Sequence, residues 1–206
     1  MAYKQIYEHY ENCLDKHGDN HKGVDWPNKE DVMKRYRVML EVIKDKSKVV
    51  KLLDFGCGCG HLLTFIKNEN IKNIEYYGLD ISKKFIDLCK RKFPDNKFYC
   101  IDVLKDNISF LPSFDYVIIN GVFTEKINLG YEEMFSFFSL ILKKIFTKTD
   151  IGIAFNTMSP IVDFKRNDLF YLSHDELGNF LHKNLTRNYI INNNYKLWEC
   201  TTFVYK

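Results

Sequence analysis

Three glycines and one aspartate stand at alternate positions between a strand-like run and a helix-like run. They are Asp54, Gly56, Gly58 and Gly60, and the residues just before Asp54 are apolar. Glycine permits positive φ and carries no Cβ, so a ligand can lie directly on the main chain where the following helix begins. The pattern therefore predicts a strand, a tight loop and a helix that bind a ligand through the loop backbone.

The spacing of the glycines separates the ligands that such a loop binds. A dinucleotide-binding loop reads G-x-G-x-x-G, and its third glycine would fall at position 61, which is His61. The sequence here also lacks G-x-x-x-x-G-K-S/T, the pattern that cradles nucleoside triphosphates. Hydride transfer and triphosphate chemistry therefore lose support.

Two further aspartates follow the next two strand-like runs. Asp80 ends the run 74–79 and lies 20 residues after Gly60, and Asp102 ends the run 97–101. In a doubly wound sheet, a carboxylate at the first of these positions accepts hydrogen bonds from ribose hydroxyls. A single aspartate of this kind is more commonly a helix cap or a turn residue. Together with the glycine loop, the aspartates favour a crevice that binds a nucleoside.

The motif Asp54-x-Gly56-x-Gly58-x-Gly60 resembles the first motif of the class I S-adenosylmethionine-dependent methyltransferases of the small bacterial type. The resemblance covers about residues 48–206. It implies S-adenosyl-L-methionine as the cofactor, with the glycines facing its methionine part, Asp102 accepting from the adenine amine and Val103 packing on the ring. The cofactor-binding residues expected on this basis are Asp54, Gly56, Cys57, Gly58, Gly60, Asp80, Ile81, Asp102, Val103 and Asn120.

The hydrophobic pattern after residue 47 alternates strands and helices. The expected fold class is α/β, a Rossmann-like class I methyltransferase fold with helices on both faces of a mostly parallel seven-stranded sheet and an antiparallel C-terminal hairpin strand. The predicted strands are 48–55, 75–80, 97–101, 114–119, 151–156, 188–191 and 197–205. The predicted helices are 60–68, a helix capped by Ser82 that ends at 93, 131–146, and one opened by Ser173.

Residues 1–46 precede this domain, which we place at 47–206. Helical spacing predicts a helix over 3–14 and a second helix that begins after Asn28 and extends to about residue 43. The polar, glycine-rich segment 17–27 between them is predicted to lack a regular element. In small bacterial methyltransferases such a segment folds over the cofactor as a lid, and an ordinary solvated linker remains the alternative.

The composition indicates which classes of binding partner are expected. The net charge is +3 and the pI about 8.4, too mild a balance to indicate nucleic acid or an anionic membrane. The six cysteines show no framework spacing, and there is no signal peptide or membrane-spanning run, so we expect a reduced, soluble, cytoplasmic protein. Cys57-x-Cys59 lacks a second ligand pair, so no metal is predicted. The oligomeric state is not indicated.

Methyl transfer from a sulfonium is an in-line displacement, so the enzyme has to align the nucleophile and provide an acceptor for its proton. The candidates for a catalytic base are His17, His21, Glu125 and His174. A second pair, Lys165 and Arg166, is a candidate clamp for an anionic substrate, with solvated surface charge as the alternative.

These observations predict a methyltransferase that acts on a small molecule. The fourth strand ends in Asn120-Gly121 and lacks the Asn/Asp-Pro-Pro-Tyr sequence of enzymes that methylate planar amines, which disfavours nucleobase methylation. We expect O-methylation of a hydroxylated metabolite such as a sugar or nucleotide-linked sugar. The alternatives are N-methylation of a small amine, methylation of protein or RNA, and a non-catalytic binding subunit with this fold.

Overall fold

A computed structural model describes residues 3–206 of the chain. The strands are β1 (Val50–Phe55), β2 (Ile74–Asp80), β3 (Lys97–Cys100), β4 (Phe114–Ile119), β5 (Thr149–Met158), β6 (Tyr189–Asn192) and β7 (Glu199–Tyr205). The α-helices are α1 (Lys4–His17), α2 (Lys29–Met39), α3 (His61–Asn68), α4 (Lys83–Lys92), α5 (Tyr131–Phe146) and α6 (His174–Asn184). Short 3-10 helices lie at His21–Val24 and Leu40–Val42.

The strands form one sheet in the order β3-β2-β1-β4-β5-β7-β6. The first five strands are parallel, and β7 runs antiparallel between β5 and β6. The order reverses at β1, so the crevice between the ends of β1 and β4 is where α/β sheets of this type bind ligands. The predicted fold class, including the antiparallel C-terminal strand, is confirmed.

Side-chain caps begin the helices where the sequence predicts. Ser82 Oγ accepts from the Phe85 amide at 3.3 Å, and Ser173 Oγ accepts from the Glu176 amide at 3.1 Å. Asn28 Oδ1 accepts from the Glu30 amide at 2.8 Å. Each cap satisfies an amide that has no partner inside its helix, so these serine and asparagine side chains fix where α4, α6 and α2 begin.

Three details differ from the sequence prediction. The segment 17–27 contains the 3-10 helix His21–Val24, because Asn20 Oδ1 caps it by accepting from the Lys22 amide at 2.8 Å. Strand β5 continues to Met158, because its register with β7 extends to the pair Met158 and Glu199. Strand β1 begins at Val50, two residues later than predicted, and ends at Phe55 as predicted.

The sheet separates two hydrophobic clusters. Helices α1, α5 and α6 contribute to the first, on one face, and α2, α3 and α4 contribute to the second, on the other. Tyr3 and Ile6 of α1 belong to the first cluster and Tyr36 of α2 to the second, so the N-terminal helices share the cores of the sheet. Within residues 3–206, no helix combines the length and apolar character needed to cross a membrane.

Candidate active site

The glycine loop after β1 forms the floor of a cleft at the carboxyl ends of the strands. Gly56 and Gly58 have φ of 74° and 49°, a region that favours glycine. A Cβ on Gly56 would lie 2.4 Å from Val122 Cγ2, and one on Gly58 would lie 3.3 Å from Val24 Cγ1. The loop backbone therefore faces the cleft with no side chain in between.

Two buried aspartates stand beside this loop. Asp54 accepts a hydrogen bond from the Tyr76 hydroxyl at 2.7 Å, and burial raises the pKa of Asp54 to about 7. Asp80 accepts from the Gly58 amide and the Ser82 amide, both at 2.9 Å, and burial raises its pKa to about 6. The hydrogen bond that the Gly58 amide donates to Asp80 fixes the loop against the end of β2.

Asp102 lies at the end of the third strand-like run, and each of its two carboxylate oxygens accepts a hydrogen bond. Its Oδ1 accepts from the Leu104 amide at 3.1 Å, and its Oδ2 accepts from the Tyr3 hydroxyl at 2.7 Å. The Tyr3 ring stacks on Phe137 of α5 with 5.2 Å between the ring centroids. The start of α1 is thereby attached to the cleft at Asp102.

Nearly all of the predicted cofactor-binding residues come together in this cleft. Its lining includes Asp54, Gly56, Cys57, Gly58, Asp80, Ile81, Asp102, Val103 and Asn120. Gly60 instead caps α3, where a Cβ would lie 2.9 Å from Phe93 Cε2. Among residues 3–206, the buried Asn120 Oδ1 has no hydrogen-bond partner. The cleft thus presents an unsatisfied acceptor beside the exposed loop backbone.

Residues 3–27, which we call the N-terminal segment, cover the cleft. The residues of this segment that line it are Tyr3, Ile6, Tyr7, Tyr10, Val24 and Trp26. Polar contacts attach the segment to α3 and α4: Asp19 lies 2.7 Å from both His61 Nε2 and Lys92 Nζ, and Asp15 lies 2.7 Å from Lys84 Nζ. These contacts hold the segment across the cleft opening.

The four predicted catalytic residues lie in different places. His17 is exposed at the end of α1, His21 opens the 3-10 helix, and His174 Nε2 lies 3.3 Å from Cys200 Sγ. Within the described chain, none of these three histidines belongs to the lining of the cleft. Glu125 is also outside this lining, but it follows β4 and lies against the covering segment.

Glu125 is the centre of a polar cluster that the sequence did not predict. Its Oε2 is buried and, within residues 3–206, has no hydrogen-bond partner. His9 Nε2 lies 3.8 Å from that oxygen and 2.7 Å from Asp25 Oδ2. Burial raises the pKa of Glu125 to about 7, and the charge of Asp25 makes the second largest contribution to this rise. Tyr10, which lines the cleft, also faces Glu125, and so the cluster borders the cleft.

Arg166, one of the two residues of the predicted anion clamp, pairs with an acidic side chain of the protein. Arg166 Nε lies 3.0 Å from Asp168 Oδ1, and a second contact joins the same two side chains. Lys165 is exposed, with its Nζ 5.4 Å from the centroid of the Tyr171 ring. The charge of Arg166 is therefore balanced within the protein.

Two groups of side chains have spacing that suits a metal ion. One consists of His9, Cys13 and Asp25, and the other of Asp19, Cys59 and His61. In each group the histidine lies 2.7 Å from a carboxylate oxygen, which is the length of a direct hydrogen bond. We interpret both as hydrogen-bonded clusters.

A closed ring of contacts supports the wall of the cleft opposite α1. The Gly121 amide donates to Asn156 Oδ1 at 2.8 Å, and Asn156 Nδ2 donates to the buried Glu199 at 3.0 Å. Glu199 binds Arg35 Nε through both of its oxygens, at 2.8 and 3.0 Å. The Arg35 guanidinium lies 4.1 Å from the centroid of the Trp26 ring, and Trp26 packs on Gly121. The ring joins α2 to the ends of β4 and β5.

Replacing Arg35 with methionine is expected to lower the free energy of unfolding by about 3 to 5 kcal/mol, because it leaves the Glu199 carboxylate buried without its cation. Urea unfolding would measure the change. The control is Arg37→Met on the same helix, whose partner Glu69 lies 3.5 Å away with both side chains about half exposed. That control should cost less than about 1 kcal/mol. Equal losses in the two variants would contradict a structural role for the ring.

Comparison with known proteins finds a family match for part of the chain. Residues 53–136 match a family model described as a methyltransferase domain. The matched region begins in β1 and ends in α5, so it contains the glycine loop, Asp80, Asp102 and Glu125. A search of curated proteins found no match to the sequence.

Solved structures share the fold over nearly the whole chain. Magnesium protoporphyrin IX methyltransferase from Synechocystis PCC 6803, with bound S-adenosylmethionine, has a TM-score of 0.64 at 16% identity and covers 98% of this chain and 96% of its own. A methyltransferase from Clostridium acetobutylicum has a TM-score of 0.59 at 12% identity, covering 100% and 99%. The plantazolicin methyltransferase BpumL has a TM-score of 0.61 at 13% identity, and the match covers 98% of this chain and 97% of BpumL. Residues 53–136 therefore match a methyltransferase domain, and the chain as a whole has the fold of these S-adenosylmethionine-dependent methyltransferases.

Proposed function

We propose that this protein transfers a methyl group from S-adenosylmethionine to a hydroxyl oxygen of a small metabolite, with Glu125 as the proton acceptor. The observation that carries the proposal is the position of Glu125, a buried carboxyl beside the lid segment at the edge of the cleft. Residues 1–46 would act as the lid and 47–206 as the catalytic domain. The free state of all six cysteines is consistent with a cytoplasmic protein.

The cleft has the chemical character that S-adenosylmethionine requires. The bare backbone at Gly58 leaves room for the methionine part, and Asn120 Oδ1, which has no partner among residues 3–206, offers an acceptor for an ammonium group. Asp80 would accept from the ribose hydroxyls, using the lone pairs that its two backbone bonds leave free. Asp102 would accept from the adenine amine and would share its carboxylate with, or lose, the Tyr3 hydroxyl.

Bound S-adenosylmethionine supplies a methyl group on a sulfonium centre. On transfer of that methyl group to the substrate oxygen, S-adenosylhomocysteine would be the leaving group, and the hydroxyl proton would need an acceptor in the protein. Glu125 suits that role, because a base with a pKa near the working pH combines a large ionised fraction with useful basicity. Burial under the lid keeps bulk water from competing as the nucleophile.

The charges near Glu125 favour a neutral or cationic acceptor. Asp25 and Glu125 are both acidic, and Arg166 is balanced by Asp168. An anionic substrate would have to share Arg166 with Asp168, so we propose hydroxylated or amino compounds without phosphate as the first to test. N-methylation of a small amine is the second candidate, because two neighbouring carboxylates would also stabilise an ammonium substrate.

The substrates named for proteins with this fold support a small-molecule acceptor. One acts on magnesium protoporphyrin IX, and another was solved with a pentazolic plantazolicin analogue and S-adenosylhomocysteine. The discriminating experiment is a screen of sugars, other alcohols and amines, each with and without phosphate, with formation of S-adenosylhomocysteine as the readout. Turnover of a hydroxylated compound supports the proposal, whereas turnover restricted to protein or RNA would reject it.

Asp80→Asn is expected to weaken binding of S-adenosylmethionine at least tenfold, because a hydrogen bond to a charged acceptor contributes about 1.5 to 3 kcal/mol. Isothermal titration calorimetry would measure the dissociation constant. Asp87→Asn, in an exposed pair with Lys83 on α4, is the matched control and should bind as the wild type does. An unchanged affinity in Asp80→Asn would show that this carboxylate does not contact the cofactor.

A further inference from the structure

We infer that the N-terminal segment does more than cover the cleft: its side chains His9 and Asp25 stand beside Glu125 and complete the proton acceptor. The inference rests on the proposed function for the role of Glu125. His9 and Asp25 would be positioning residues, since they act on the substrate only through that carboxylate.

The geometry places both residues at the buried end of Glu125. His9 Nε2 lies 3.8 Å from Glu125 Oε2 and 2.7 Å from Asp25 Oδ2, so the imidazole stands between the two carboxylates. Glu125 has 12% of its side chain exposed, whereas His9 and Asp25 have 34% and 41%. The carboxyl at the reaction site is thus enclosed by groups that themselves reach solvent.

Several groups face Glu125, and they act in opposite directions. They are His9, Tyr10 and Cys13 from α1, Asp25 from the end of the 3-10 helix, and Arg166 from the loop after β5. Beyond burial, the negative charge of Asp25 raises the pKa of Glu125, and protonated His9, the Tyr10 hydroxyl and Arg166 lower it. Tyr10 and Cys13 are themselves held neutral, because burial raises the pKa of each. The two largest charge effects therefore come from the N-terminal segment.

Hydrogen bonds at the end of the 3-10 helix fix the backbone of Asp25. Asp25 has φ of 57°, in the left-handed region, at the end of the 3-10 helix. Its amide donates to the Lys22 carbonyl at 3.0 Å, and the Trp26 amide donates to the His21 carbonyl at 2.8 Å. A non-glycine residue in this conformation is uncommon and is a reason to look for a function at that position.

The test is a direct titration of Glu125 in the free protein, followed by carboxyl ¹³C NMR with labelled glutamate and assigned with the Glu125→Gln variant. His9→Gln removes the imidazole whose charge lowers the pKa of Glu125, so it should raise the titration midpoint of Glu125 by up to about one pH unit, the effect of a unit charge near 4 Å in water. Asp25→Asn removes an anion and should lower the midpoint. His17→Gln, an exposed residue of the same helix and type, should leave it unchanged.

The inference is supported if the midpoint of Glu125 moves in opposite directions in His9→Gln and Asp25→Asn, and if the acidic limb of the kcat/KM pH profile moves with it. A purely structural role would not shift the midpoint in opposite directions in the two variants. Midpoints that stay fixed, or that move in the same direction, would overturn it. The outcome is separable from that of the proposed function: if Glu125→Gln abolishes turnover and neither neighbour moves the midpoint, only the inference fails. If the midpoints shift oppositely but no methyl transfer is found, only the proposed function fails.

Discussion

Glu125→Gln is expected to lower kcat by about 100- to 10,000-fold, the usual contribution of a positioned general base. Glutamine keeps the size of the side chain but cannot accept the proton of the substrate hydroxyl. Binding of S-adenosylmethionine should remain within about twofold of the wild type, because Glu125 is outside the residues that line the cleft. Single-turnover assays and calorimetry would measure the two quantities separately.

The exposed Glu132→Gln variant on α5 is the control for this change and should behave as the wild type does. In the wild type, kcat/KM should rise with pH through about 7, since the ionised fraction of Glu125 grows as the pH passes its pKa. That limb should be absent from the residual activity of Glu125→Gln. A variant with normal kcat would exclude Glu125 as the base and return the role to another group near the cleft.

Gly58→Val is expected to abolish measurable cofactor binding. The residue has φ of 49°, which disfavours a β-branched side chain, and its Cβ would lie 3.3 Å from Val24 Cγ1 beneath the lid. The added methyl groups would therefore occupy the space between the loop and the lid where the methionine part is proposed to lie. Calorimetry with S-adenosylmethionine measures the loss.

Gly130→Ala provides a control for adding a side chain to a glycine at a helix start. Gly130 has φ of −64°, and its added Cβ would meet only Glu133 Oε2 at 3.5 Å, an ordinary contact. Circular dichroism should show both variants folded. If Gly58→Val is folded and binds the cofactor with unchanged affinity, the glycine loop is not the binding surface.

The elements that carry the cleft were predictable because their signals are local. Gly56, Gly58 and the two aspartates Asp80 and Asp102 each follow directly from a strand end, and parallel strands bring such ends together. Glu125 was predictable as a candidate for the same reason, since it follows β4. The alternation of strands and helices predicted a mostly parallel sheet, but the order of the strands within it was seen only in the structure.

The parts that were not predicted depend on how the N-terminal segment folds back. His9 gave no signal of its own, because the apolar stripe of α1 passes through its neighbours, and its spacing to Cys13 is that of any helical pair. His17 and His21 were candidates on residue type alone, and type does not show which way a side chain on a covering segment points. The bond between Arg35 and Glu199 joins residues 164 apart in sequence, and no local pattern predicts such a contact.

A crystal structure of the protein with S-adenosylhomocysteine is the most direct test of the cofactor site. We expect one ligand per chain in the cleft, with its ribose hydroxyls on Asp80, its adenine amine near Asp102 and its amino acid part on the backbone of Gly56 and Gly58. Glu125 should then lie beside the vacant position of the transferred methyl group. A ligand bound elsewhere, or an empty cleft at saturating ligand, would contradict this expectation.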